Sequence, residues 1–162
     1  MPPVPSGWQM RNRPITSGMR VATGRDPDGG ALLEAALALA PDQPEVAYAY
    51  ALWLFRQGRL SEGLPHLEHA ARLAPGQRHY AYTWAVALND NGETDRALTV
   101  LNALLQRWPD DAELLIATVT MLRDQSRFAE ALPLLDQLIR QQPGNQELIQ
   151  FREAMRRAAA SG

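Results

Sequence analysis

Four prolines, Pro41, Pro75, Pro109 and Pro143, recur at one constant interval in a chain of 162 residues. Between the second and third lie two apolar-periodic runs, 78–89 and 95–107, parted by the polar break Asp90–Thr94 with its Asn91-Gly92. The runs have the spacing of amphipathic helices and the break has turn composition, so the unit reads as helix–turn–helix. A fixed period of this size marks a stacked repeat array, because one helix pair cannot bury its apolar face alone. The expected fold is all-α.

The same reading divides the chain. A helix over 28–40, ALLEAALALA with Asp28 as its N-cap, is followed by repeats at 44–75, 78–109 and 112–143 and a capping helix at 145–159. The first helix aligns with the second helix of each repeat: Leu33 falls with Leu67, Leu101 and Leu135, and Ala36 with Ala70, Leu104 and Leu138. The array therefore opens on half a repeat, whose missing partner leaves apolar surface wet at about 25 cal/mol per Å². Expected buried stripes on the first helix of each pair are Ala47, Tyr50, Ala51 and Leu54, then Ala81, Trp84, Ala85 and Leu88, then Leu115, Thr118, Val119 and Leu122. Turns fall at Gly58, Asn91-Gly92 and Ser126, and Pro65 and Pro133 sit early enough in their helices to be tolerated. In the capping helix Leu148, Phe151 and Met155 form a narrow stripe, so truncating Met155 should cost less than truncating Trp84 in the central unit. Residues 1–27 carry five prolines and read as an extended or disordered segment. Their Trp8, Met10, Ile15 and Met19 leave two readings open: docking on the array, or a domain boundary of a longer chain.

Several function classes are excluded by residue supply. A net charge of −2 and a pI near 5.9 provide no basic face, so neither nucleic acid nor an anionic membrane is an expected partner. All 16 basic residues are arginine, which removes lysine chemistry, and the absence of cysteine removes thiolate catalysis, thiolate metal sites and haem attachment. No apolar run reaches the roughly 18 residues of a membrane span, and the N-terminus has no signal-peptide core. His66 and His69 are three apart on a helix, where they read as two solvated side chains; His79, at a helix start, makes no site alone. Asp110, Asp111 and Glu113 lie at a helix start, where carboxylates complement the helix dipole, and read as capping rather than metal binding. No nucleophile–base pair or phosphate loop is present, so no enzyme activity and no cofactor are expected.

The unit resembles the tetratricopeptide repeat, W-x2-L-G-x2-Y … A-x3-F … A-x4-P. Its tryptophan site is Ala47, Ala81 and Leu115 here, and its leucine–glycine sites are Tyr50-Ala51, Trp84-Ala85 and Thr118-Val119. The tyrosine site is Leu54, Leu88 and Leu122, the helix alanine Gly63, Ala97 and Ala131, and the phenylalanine site Leu67, Leu101 and Leu135. Sizes and spacings hold across residues 28–159 while identities drift. A weaker similarity links HYAYTWAVALNDNGETDRALTVL and MLRDQSRFAEAL to the repeat tails of bacterial multihaem cytochrome-type proteins. The family resemblance implies a right-handed solenoid of antiparallel helix pairs whose first helices line a concave wall. It implies a non-catalytic protein-interaction module, a scaffold or adaptor that binds a protein or peptide partner on that wall.

On this register the wall carries Tyr48, Leu52, Phe55 and Arg56, then Tyr82, Val86, Asn89 and Asp90, then Ile116, Thr120 and Arg123. Tyrosines at equivalent places in two successive repeats are the strongest signal, since tyrosine contributes area and a polar tip at small entropic cost. The carboxylate clamp of heat-shock co-chaperones within the family needs lysines, which Tyr48 and His79 replace here. A second reading makes the chain a structural or regulatory appendage of a larger exported protein, with its own N-terminal segment packed on the solenoid. The first places it in the cytoplasm, the second in the periplasm.

Overall fold

The computed structural model describes residues 27–161; the readings made for residues 1–26 lie outside them. Eight α-helices occupy the described residues. They are α1 (Pro27–Leu39), α2 (Pro44–Arg56), α3 (Leu60–Leu73), α4 (Arg78–Asp90), α5 (Thr94–Arg107), α6 (Ala112–Asp124), α7 (Phe128–Gln141) and α8 (Gln146–Ala160). They form two compact units, 27–100 and 101–161, with the division falling inside α5. α1 begins at Pro27, one residue earlier than expected.

In the first unit α1 packs on α2, α2 on α3 and α3 on α4; in the second α6 packs on α7 and α7 on α8. The period of the prolines reappears in the backbone. Gly58, Gly92 and Ser126, each one period from the next, have φ of 76°, 84° and 57°. At each, the following amide reaches back to close the helix: Arg59 N–H to Leu54 O at 2.9 Å, Glu93 to Leu88 at 2.8 Å and Arg127 to Leu122 at 2.8 Å. This is the left-handed C-terminal cap that glycine adopts without a steric cost. Ser126 bears that cost, because a Cβ in the left-handed region crowds the following carbonyl. Ser126→Gly should therefore raise stability by roughly 0.5–1 kcal/mol, read as a shifted denaturation midpoint, while Gly92→Ala should lower it by about 1 kcal/mol.

The helix starts are less uniform. Asp111 accepts from the amides of Glu113 and Leu114 at 3.0 and 3.1 Å, and Asn145 accepts from Glu147 and Leu148 at 3.1 and 3.3 Å. Gln43 and Gln77, two periods and one period before Asp111, make no such bond. Their side chains are one methylene longer than the cap geometry favours. Proline at the start of α2 compensates in part, since the amide it lacks would have no partner there. Pro65 and Pro133 are exposed inside α3 and α7, where the carbonyls they leave unpaired can reach water. Arg59 pairs with Glu62, Arg96 with Glu93 and Arg127 with Glu130 at the helix starts; being exposed, such pairs contribute little.

The core repeats as well. Leu67, Leu101 and Leu135 are fully buried, and Ala70, Leu104 and Leu138 are buried beside them. The stripes Ala47–Leu54 and Leu115–Leu122 are buried at every expected position. In α4 only Ala85 and Leu88 are; Ala81 and Trp84 are half-buried, and the helix buries Tyr80 and Ala87 instead. Buried Thr118 and Thr120 satisfy their hydroxyls on the carbonyls of Leu114 and Ile116, both at 2.8 Å. Loops are braced from downstream. His69 Nε2 lies 2.8 Å from the Pro41 carbonyl, and Gln137, two periods later, donates to the Pro109 carbonyl at 2.8 Å.

Candidate functional site

The two tyrosine-bearing helices lie against each other. The Tyr48 hydroxyl on α2 is 3.4 Å from Thr83 Oγ1 on α4. Its ring meets those of His79 and Tyr80 edge-on, with centroids 5.7 and 5.1 Å apart. His79 is exposed, while Tyr80 is buried and its hydroxyl is pushed above the ordinary tyrosine value by burial, with Glu45 adding. On α4 the Arg78 guanidinium stands 5.9 Å from the centre of the Tyr82 ring, close enough for a cation–π contact. Leu52 follows Tyr48 by one turn and Val86 follows Tyr82 by one turn, and all four are half-buried. The C-terminal ends of both helices are polar. Arg56 is exposed, Asp90 half-buried, and Asn89 Oδ1 accepts from Thr94 Oγ1 at 3.0 Å.

Three expected members of this wall are placed elsewhere. Phe55 is 3% exposed and points into the α2–α3 core. Its ring takes the room that Gly63 leaves: a Cβ on Gly63 would stand 2.3 Å from Phe55 Cε1. Thr120 is buried and bonded to its own helix. Arg123 belongs to the other unit, where its guanidinium lies over the Phe151 ring at 5.9 Å and binds Asp124 at 2.5 and 2.7 Å. Its charge is thus partly neutralised and its stem packed. Thr83 and Tyr80 are members of the α2–α4 contact that pattern reasoning missed. The signal for them was faint, since one helical step separates each from residues assigned to other faces.

His66 also departs from expectation. It is half-buried, its ring edge-on to Tyr50 at 4.8 Å, and burial holds it below the ordinary histidine value, with His69 adding to the shift. Tyr50 in turn stacks on Trp53 at 5.9 Å and donates to Glu34 of α1 at 2.6 Å, which raises its own pKa. His66 is therefore a packing residue that links α3, α2 and α1. His69 remains exposed. Asp111 serves its helix start as the cap described above. Among the described residues no group of three histidine or acidic side chains is arranged to hold a metal, and no helix is long and apolar enough to cross a membrane.

Helix pairs repeated on one fixed period, closed by recurrent left-handed turns, define an all-α helical-repeat protein. The profile of the tetratricopeptide repeat family matches residues 21–78 and 82–146, and the chain belongs to that family. Its repeats build protein–protein interaction modules, and this chain is one at that general level. No curated protein matches it in sequence. Of the solved structures, 27 chains match. One is a point mutant of MamA, with a TM-score of 0.59 and 24% identity over 81% of this chain and 75% of that one. At that identity the likeness speaks for the fold.

Proposed function

We propose that the chain is a non-catalytic tetratricopeptide module that binds an extended or helical segment of a protein partner across the wall formed by α2 and α4. The observation that carries this reading is the paired placement of Tyr48 and Tyr82. They stand at equivalent positions of adjacent helices, each half-buried, each with an aliphatic neighbour one turn on. Their rings are held by Thr83, His79 and Arg78, so little side-chain freedom is lost when a partner covers them. Apolar anchors in the middle and polar groups at the helix ends, Arg56, Asn89 and Asp90, suit a segment with apolar side chains flanked by polar ones.

Tyr48→Ala and Tyr82→Ala should each weaken partner binding by about 1–3 kcal/mol, as truncation of interface anchors does. Added salt should change the affinity little, in contrast to the steep dependence of a nucleic-acid complex. The measurement is calorimetric titration of a partner recovered by affinity capture, with the wild type and these variants at low and high salt. Undiminished binding by both tyrosine variants would remove α2 and α4 as the binding wall.

A further inference from the structure

Leu32 on α1, Val100 on α5 and Leu134 on α7 stand in phase with His66 on α3. His66 thus brings a titratable ring, half-buried, to a position that is aliphatic in the other second helices. The ring lies edge-on to Tyr50 of α2 at 4.8 Å. Tyr50 is the centre of what holds α1. Its hydroxyl donates to Glu34 at 2.6 Å, and its ring stacks on Trp53. The Trp53 indole in turn meets Gly30 so closely that an added Cβ would come within 2.4 Å. Leu37 packs against the cluster of Ala47, Ala70 and Tyr80, while Leu32 is 71% exposed and Leu39 87%.

A proton on His66 charges this slot. The titratable groups around it are Tyr50 from α2, Glu34 from α1, and Glu62 and His69 one turn to either side on α3. Glu34 is taken up by the Tyr50 hydroxyl and Glu62 by Arg59. Among the described residues no carboxylate of α4 or of any other helix pairs with His66, and the charge of His69 opposes a second one beside it. An imidazolium in that place gives up hydration that the neutral ring does not need, so the packed arrangement favours the neutral ring.

We propose that His66 is a pH-responsive latch on α1: proton uptake by its ring loosens Tyr50 and releases α1 from α2 while α2 and α3 stay folded. Burial, with His69 adding, holds the packed ring below the ordinary histidine value. The closed arrangement therefore binds the proton less readily than the open one. The hold on α1 is complete above about pH 6.5 and is lost as the pH falls through the value of the packed ring. Release uncovers the Tyr50 and Trp53 rings, an aromatic surface offered only in mildly acidic surroundings.

The test is amide hydrogen exchange of the full chain, read by mass spectrometry at about pH 7.5 and about pH 5.5 and corrected for intrinsic exchange rates. Protection of the α1 amides should fall at least about threefold between the two conditions, while that of α2 and α3 changes by less than about 1.5-fold. His66→Leu takes the residue of the in-phase Leu134, and His66→Gln keeps a polar side chain that takes up no proton. In both variants α1 protection should stay constant to within about 1.5-fold, and the second serves should the first pack differently. Unchanged α1 protection in the wild type overturns the proposal, as does a fall that persists in the His66 variants. A fall shared equally by α2 and α3 also overturns it, because the whole unit is then yielding. No partner enters the measurement and Tyr48 and Tyr82 are untouched, so its outcome is independent of the partner-binding reading.

Discussion

Phe55→Ala is expected to cost about 3–5 kcal/mol of stability, the range for removing a buried aromatic ring. The ring is 3% exposed and fills the space that a glycine leaves on the neighbouring helix. Gly63→Ala attacks the same contact from the other side. Its methyl would meet Phe55 Cε1 at 2.3 Å, Cδ1 at 2.8 Å and the Ala51 carbonyl at 3.1 Å, so the ring must move, at a cost of about 1–3 kcal/mol. In the double variant the methyl enters the cavity left by the ring. The combined loss should fall short of the sum of the single losses by about 1 kcal/mol or more. Denaturant unfolding of the four proteins in this cycle decides it. Strictly additive losses would mean that the two residues do not compete for one space.

Met155→Ala should cost about 2–5 kcal/mol, placing the last helix among the strongest determinants of stability in its unit. Met155 is 1% exposed, and Leu148 and Phe151 beside it are buried too. Pattern reasoning ranks this position below Trp84, on the ground that an end helix has one neighbour. The burial reverses the ranking: Trp84 is half-buried, and its buried indole N–H has no hydrogen-bond partner, so part of what its ring gains is offset. Met155→Ala should therefore lower the unfolding free energy at least as much as Trp84→Ala. A thermal melt in which the Met155 variant is nearly neutral would show that α8 is a loosely attached cap.

Element type and spacing were legible because the signals were local. A proline closing every period, glycine or serine at three equivalent turns and leucine at one position of each second helix place the helix boundaries within a residue or two. The rotation of each helix about its own axis was less legible, because each residue turns the helix by about 100° and the edges of an apolar stripe can face either way. The pattern of its own helix puts Phe55 on the surface, yet what turns it inward is the missing side chain at Gly63, on another helix. The same kind of pattern puts His66 in solvent beside His69, but Tyr50 across the pair packs on it. Tyr48 and Tyr82 remain half-exposed on adjacent helices, and Thr83, His79 and Tyr80 fix their surroundings through contacts that span a whole repeat in sequence.

A regular period suggests parts that can be exchanged, and the Phe55–Gly63 contact sets a limit to that. Splicing Thr94–Arg107 into the place of Leu60–Leu73 would preserve length, capping and the buried leucine, yet bring Ala97 to the position of Gly63. The graft would set a methyl group against the phenyl ring, and no adjustment of the turn could relieve it. The first helix pair is thus inherited as a matched couple: whatever duplicates, recombines or redesigns this array must carry both members or neither.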